Sequence, residues 1–272
     1  MFVHRMRRRF RKTVQWLSGW WRARAILALH VLLRRPIRDL ARFQRRMPFI
    51  ERREYSQNGE DGIIEAIVAA IGTTNRSYVE FGVEDGIESN TRSLMKHKGW
   101  TGLLMDGSHE NPAINLHREF ITAENIEALF AKHDIPREFD LLSIDIDGND
   151  YWVWKAIERY RPRVVIVEYN ACIPYAPAVT VPYDPEFSWD KTEYYGASLS
   201  ALVALGRTKG YTLVCTDHCG VNAFFVRDDL IAGHFAPGSP ASLYHPAAFK
   251  GKTGRSHPPD TKNRPWIRVD EK

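Results

Sequence analysis

From Glu54 onward, short β-favouring runs alternate with segments of helical periodicity, and this alternation is the sign of a parallel sheet covered on both faces by helices. Glu60–Ile71 carries Ile63, Ile64, Ile67 and Ala70 at helical spacing behind Ser56, and Gly72 ends it. Strands are expected at Tyr78–Val83, Gly102–Met105, Phe139–Ile146 and Arg163–Val167, with a weaker one near Phe120–Thr122. The intervening helices fall at Asn90–His97, Glu124–His133 and Tyr151–Arg159, and a later one at Ser198–Lys209. Tyr211–Cys215 and Asn222–Val226 read as a closing antiparallel pair. Between them and the earlier units, Ala171–Ala197 is rich in proline and aromatics and has no period. A loop this long inside a compact domain is usually functional; an inert packed excursion is the alternative.

The expected fold is therefore α/β: a Rossmann-like, seven-stranded, mostly parallel sheet with helices on both faces, plus a basic helical N-terminal arm. The arm spans residues 1–53, the domain 54–235, and a Pro/Gly-rich tail 236–272, either an ordered wrap or a frayed end.

Charge separates the arm from the rest. Up to Arg53 there are sixteen Lys and Arg against Asp39 and Glu51, so in a chain of net charge +5 the remainder carries about −9. The arm's apolar stretch, Ala25–Leu33, is too short to span a bilayer. With Trp16, Trp20 and Trp21 beside arginines, it suits a helix on an anionic membrane surface. The alternative is a solvated basic helix that packs its leucine face on the domain or on a second copy in a homo-oligomer. Nucleic acid is disfavoured, because an acidic globule repels phosphate. The three cysteines, Cys172, Cys215 and Cys219, are too few and too scattered for a disulfide framework and fit a reducing, cytoplasmic setting. Cys215, Asp217, His218 and Cys219 lie close in sequence, but their spacing matches no usual zinc signature.

In open α/β sheets, ligands bind beyond the carboxyl ends of the strands. The first strand delivers Gly82 and Gly86, which allow a tight turn and close approach to a ligand; a purely structural turn would look the same. The second delivers Asp106, placed to accept hydrogen bonds from both ribose hydroxyls of a nucleoside, or else to cap a helix. The fourth delivers Asp145 and Asp147, which strand alternation puts on one side, and the fifth delivers Glu168 and Asn170. If these strands are neighbours, Asp145, Glu168 and Asn170 converge on one magnesium or manganese ion. Capping by Asp147 and Asp150, with Glu168 simply hydrogen-bonded, is the other reading.

Four stretches, Ser56–Asp61, Val79–Gly86 with Ser89-Asn90-Thr91, Gly99–Asp106 and Leu142–Gly148, together resemble the FkbM-like class I methyltransferases over about Tyr55–Val226. The resemblance implies S-adenosylmethionine as methyl donor and O-methylation of a small-molecule or sugar hydroxyl. It implies a cofactor-binding set of Glu80, Gly82, Glu84, Gly86, Asn90, Asp106, Gly107 and Asp145, with Asp145 and Asp147 at the reacting centre. Two positions depart from the family: Glu84 stands where asparagine is common, and Asp147 and Asp150 where glutamates are common.

A hydroxyl acceptor must lose its proton to a base or to a metal that lowers its pKa. In this reading Asp145, Glu168 and Asn170 hold the cation. The loop from Cys172 to Ala197, with Tyr175, Tyr183, Phe187, Trp189, Tyr194 and Tyr195, forms the acceptor wall. The rivals are a glycosyltransferase using Asp145-x-Asp147 to hold a metal and nucleotide sugar, and a non-catalytic binding protein of the same fold.

Overall fold

The computed structural model describes residues 50–236, 238–248 and 257–269, so residues 1–49 of the basic arm expected over residues 1–53 lie outside the described residues. Seven strands form one sheet: β1 (Ser77–Phe81), β2 (Thr101–Asp106), β3 (Leu116–Arg118), β4 (Leu141–Ile144), β5 (Val164–Glu168), β7 (Tyr211–Thr216) and β8 (Asn222–Arg227). Their order is β3-β2-β1-β4-β5-β8-β7. β1 to β5 are parallel, while β8 runs antiparallel to both β5 and β7. The central strands are buried along nearly their whole length, as continuous apolar runs such as Val164–Val167 require.

Among the described residues five helices flank this sheet: α1 (Glu60–Ile71), α2 (Arg92–Lys98), α3 (Ile126–Lys132), α4 (Asp150–Ala156) and α5 (Leu199–Lys209). Parallel crossovers are right-handed, so the step leftward from β1 to β2 places α2 on one face. The steps rightward through β4 and β5 place α3 and α4 on the other. Lys98 of α2 reaches Glu65 of α1 at 3.3 Å, which sets α1 beside α2. On the opposite face Trp154 of α4 packs on Phe225 of β8 at 4.9 Å. The order reverses between β1 and β4, and there a crevice opens at the strands' carboxyl ends.

Three expectations are corrected. The edge strand is Leu116–Arg118 rather than Phe120–Thr122. Asn125 takes the backbone of that later segment, accepting from Thr122 N at 2.8 Å and donating to Phe120 O at 2.8 Å, which removes it from the ladder. β4 stops at Ile144, not Ile146. The carboxylate of Asp150 accepts from Ile146 N and Gly148 N, both at 2.9 Å, and curls the chain, with Asp147 at φ 58°. Strand alternation therefore does not govern Asp145 and Asp147. Finally, Ala171–Ala197 is not structureless: β6 (Val179–Thr180) pairs antiparallel with β9 (Ile267–Arg268). The described part of the tail is an ordered wrap, with Tyr194 donating to Pro265 O at 2.7 Å and Thr216 Oγ1 to Leu243 O at 2.6 Å. Among the described residues, no helix is long and apolar enough to cross a membrane.

Candidate active site

A cleft of about 980 Å³ opens at the carboxyl ends of β1, β2, β4 and β5. Its walls come from the Gly82–Asp85 turn, Asp106–Ser108, Glu119–Ile121, the loop Asp145–Asn149, and Glu168. Phe187, Trp189 and Tyr195 from the long excursion and His257 from the tail complete it.

Gly82 makes the tightest contact in this region. Its φ is +77°, and a Cβ there would stand 1.4 Å from the carbonyl oxygen of Asp145, so no other residue fits without moving one loop. Two residues on, the backbone N–H of Glu84 donates to Asp106 Oδ2 at 3.0 Å. The glycine turn and the acid closing β2 are thus tied together in one wall.

Asp106 is 8 % exposed. Its Oδ1 accepts from Ser108 N (2.8 Å), Ser108 Oγ (3.0 Å), His109 N (3.0 Å) and His109 Nδ1 (2.9 Å). Burial pushes this carboxyl up, but the hydrogen bonds from Ser108 and His109 outweigh it and hold the group below the usual carboxylate range. Oδ2 carries one donor and keeps a lone pair for a ligand hydroxyl. Beside it, Phe120 is 62 % exposed, a large apolar ring presented to the cleft next to Gly107.

Of the expected cofactor-binding residues, Gly82, Glu84, Asp106, Gly107 and Asp145 line the cleft. Glu80, Gly86 and Asn90 stand behind it. Glu80, 4 % exposed, accepts from Asn90 N at 2.7 Å, Thr91 N at 2.9 Å and Thr91 Oγ1 at 2.5 Å, fixing the entry to α2. The side-chain amide of Asn90 donates to Ser143 Oγ at 3.1 Å, and the carbonyl of Gly86 accepts from the Arg92 guanidinium. These three shape the wall from the rear.

Opposite the turn, Asp145, Asp150 and Glu168 bring carboxylate oxygens within 4.8 Å of one another. β4 and β5 are neighbours, as the convergence required. Asn170, however, is not a member. Its Nδ2 donates to Glu193 O (2.8 Å) and Tyr195 O (2.9 Å), and its Oδ1 accepts from Cys172 N (3.0 Å), so the whole amide is engaged in holding the excursion. Asp150, from the first turn of α4, supplies the third oxygen instead. Asp147 lies outside the trio, exposed on the cleft side.

Burial, reinforced by neighbouring carboxylates, pushes Asp145 and Glu168 well above the usual range. Burial also lifts Asp150 to about 6, despite its two backbone hydrogen bonds. Among the described residues no Lys, Arg or His pairs with any of the three. Such a set either retains protons or takes a cation, and its all-oxygen chemistry fits a hard divalent ion. Cys215, Asp217, His218 and Cys219 form no comparable group among the described residues, and all three cysteines are free.

Sequence reasoning treated Asp150 only as a helix cap and did not single out Phe120, Asn149 or His257. The first follows from the same turn that curls Asp145–Gly148. His257 carries no local signal, because only the wrap of the tail delivers it.

No protein-family profile and no curated protein matches the chain. Among solved structures, an S-adenosylmethionine-dependent methyltransferase from Clostridium acetobutylicum ATCC 824 is similar over 63 % of this chain and 92 % of that chain, at 11 % identity and a TM-score of 0.36. So loose a likeness carries no argument for the chemistry, which rests on the cleft itself.

Proposed function

We propose that this chain is an S-adenosylmethionine-dependent methyltransferase of the FkbM-like kind that O-methylates a hydroxyl of a small molecule or sugar in a reducing, cytoplasmic setting. The observation that carries the reading is the Glu84 N–Asp106 Oδ2 bond, inside a cleft whose opposite wall is the carboxylate trio. The Gly82–Glu84 turn offers close backbone approach to the methionine part of a donor. Asp106 Oδ2 accepts from the ribose, and His109, its side chain 47 % exposed, is placed to yield its hold on Oδ1. Phe120 presents a flat face to the adenine. The donor supplies an electrophilic methyl on sulfur.

Acceptor activation belongs to the opposite wall. Asp145, Asp150 and Glu168 would hold a magnesium or manganese ion, whose Lewis acidity lowers the pKa of a bound hydroxyl. Asp145, whose pKa burial and the neighbouring carboxylates raise, would take the hydroxyl proton on its carboxylate as the methyl is transferred. The cleft holds acceptor and donor side by side, and such positioning supplies much of the rate.

Isothermal titration tests the assignment. S-adenosylhomocysteine binds, a nucleoside diphosphate does not, and Asp106→Asn weakens the former by roughly ten- to a hundredfold, as loss of a charged hydrogen bond does. Binding of the nucleoside diphosphate in preference would move the protein to nucleotide-sugar chemistry.

A further inference from the structure

The cleft wall carries more negative charge than its own cations answer. Arg53 is paired with Glu88 at 2.9 Å, and Glu119 with Lys132 at 2.6 Å and His133 at 2.8 Å. Asp106 is held by Ser108 and His109 on one oxygen and by Glu84 N on the other, whose remaining lone pair is reserved for the donor's ribose. Glu84, Asp85, Asp145, Asp147 and Glu168 line the same cleft with no cationic partner among the described residues, and Asp150 stands behind them. A divalent ion on the trio and a donor with a single net positive charge together leave about three of these charges unanswered.

The surplus lies away from the trio. Glu84, from the turn after β1, and Asp147, from the loop after β4, line the same cleft. Next to Asp147, Gly148 seats the Phe187 ring so closely that a Cβ would stand 2.3 Å from two ring carbons. Asn149 follows. It lines the cleft, is 6 % exposed, and donates through Nδ2 to Asp184 O at 2.7 Å, which fixes the orientation of its amide. Its Oδ1 is buried without any partner. A buried orphan acceptor calls for a donor, and two unpaired carboxylates beside an aromatic ring call for that donor to be cationic. Trp189 and Tyr195, 5.5 Å apart, extend the aromatic wall.

We propose that Glu84, Asp147 and Asn149, with the Phe187 ring, form a subsite for an ammonium group of the methyl acceptor, which is therefore an amine-bearing hydroxyl compound of the amino-sugar class. This rests on the methyltransferase reading and narrows its acceptor. The ammonium donates to both carboxylates and to Asn149 Oδ1, while a hydroxyl of the same molecule reaches the trio. A phosphorylated or carboxylated acceptor meets repulsion in the same place.

The test uses the full chain with magnesium and saturating S-adenosylhomocysteine, titrated with D-glucosamine, D-glucose and D-glucose 6-phosphate. Glucosamine binds about tenfold or more tightly than glucose, the phosphate ester binds least, and added salt narrows the gap. In Glu84→Gln and in Asp147→Asn, each checked for an unchanged unfolding transition, the preference falls to about twofold or less. Equal affinity for glucosamine and glucose, no binding of glucosamine, or a preference that survives both substitutions overturns the subsite. If the wild-type protein fails to bind S-adenosylhomocysteine, the donor reading falls separately. The glucosamine preference is then measured on donor-free protein and judged by the same outcomes.

Discussion

β4 and β5 carry ionisable residues at both ends, and the two ends are built to opposite rules. At the amino end Asp140, 2 % exposed, accepts from Thr74 N, Thr74 Oγ1, Asn75 N and Arg76 N at 2.6–3.1 Å and pairs with Arg163 at 3.1 Å. Five residues further along each strand, Asp145 and Glu168 face each other with neither a cation nor a comparable set of donors among the described residues. Asp140 and Asp150 are buried and Asp145 and Glu168 half-buried, so the two sites differ less in exposure than in their partners. The saturated acid has no capacity left for a ligand and ties β4 to the loop before β1. The unsaturated pair, joined by Asp150, keeps its capacity, and the mutual repulsion of ionised carboxylates there costs stability unless protons or a cation answer it. The comparison teaches that the accounting of partners, rather than the presence of a buried carboxylate, separates architecture from chemistry.

The sharpest way to break this contrast is to neutralise one acid at each end. Asp140→Ala should cost about 3–5 kcal/mol in urea denaturation, because it strands Arg163 and several N–H groups. Asp145→Asn should leave stability within about 1 kcal/mol of wild type, or raise it, since it relieves repulsion. Its methyl transfer should fall by roughly a hundredfold or more, read with a labelled donor. Equal losses of stability would erase the distinction between the ends.

A second, intermediate effect concerns pH. A carboxyl whose folded pKa is raised keeps its proton in the fold, so its stabilising contribution is full below the unfolded value and is lost as pH rises through the folded one. For Asp150 that window runs from the ordinary 3.8 to about 6, and Asp145 and Glu168 act in the same direction. Metal-free protein should therefore melt at progressively lower temperature as pH rises through this range. Added Mn2+ should raise the melting temperature more at about pH 7.5 than at about pH 5, since the ion needs ionised ligands. A cation effect independent of pH, or absent, would argue that protons alone answer the trio.

The smallest effect sharpens the comparison at a site that is neither buried nor charged. Phe120→Ala should change stability by less than about 0.5 kcal/mol, because the ring is largely exposed. It should weaken S-adenosylhomocysteine by roughly tenfold, the usual worth of one aromatic stacked on a base. Unchanged affinity would remove the ring from the donor site.

The sheet was legible from the chain because its signals are local. Apolar runs, glycine stops and helical spacing placed nearly every element within a few residues, and Gly82, Asp106, Asp145 and Glu168 emerged at the strand ends where the chemistry sits. What escaped was decided by side chains acting on backbone across a turn or across the fold. Asn125 removes Phe120–Thr122 from the ladder, Asp150 curls the segment after β4, and Asn170 turns its amide to the excursion rather than to the trio. A strand rule extrapolated past Ile144 could not foresee the left-handed Asp147. The pairing of β6 with β9, and with it the arrival of His257, depends on contacts nearly ninety residues apart.

The absent side chain at position 82 has a consequence for how this protein can change. With 1.4 Å between a hypothetical Cβ and the Asp145 carbonyl, the two loops touch through a gap one hydrogen atom wide. Any wedge there would prise apart both halves of the pocket at once, so its span is set by a spacer of zero size and cannot be retuned locally. New acceptors must then be accommodated by the proline-rich excursion and the tail that straps it, the parts of the wall that can be rebuilt without disturbing that gauge.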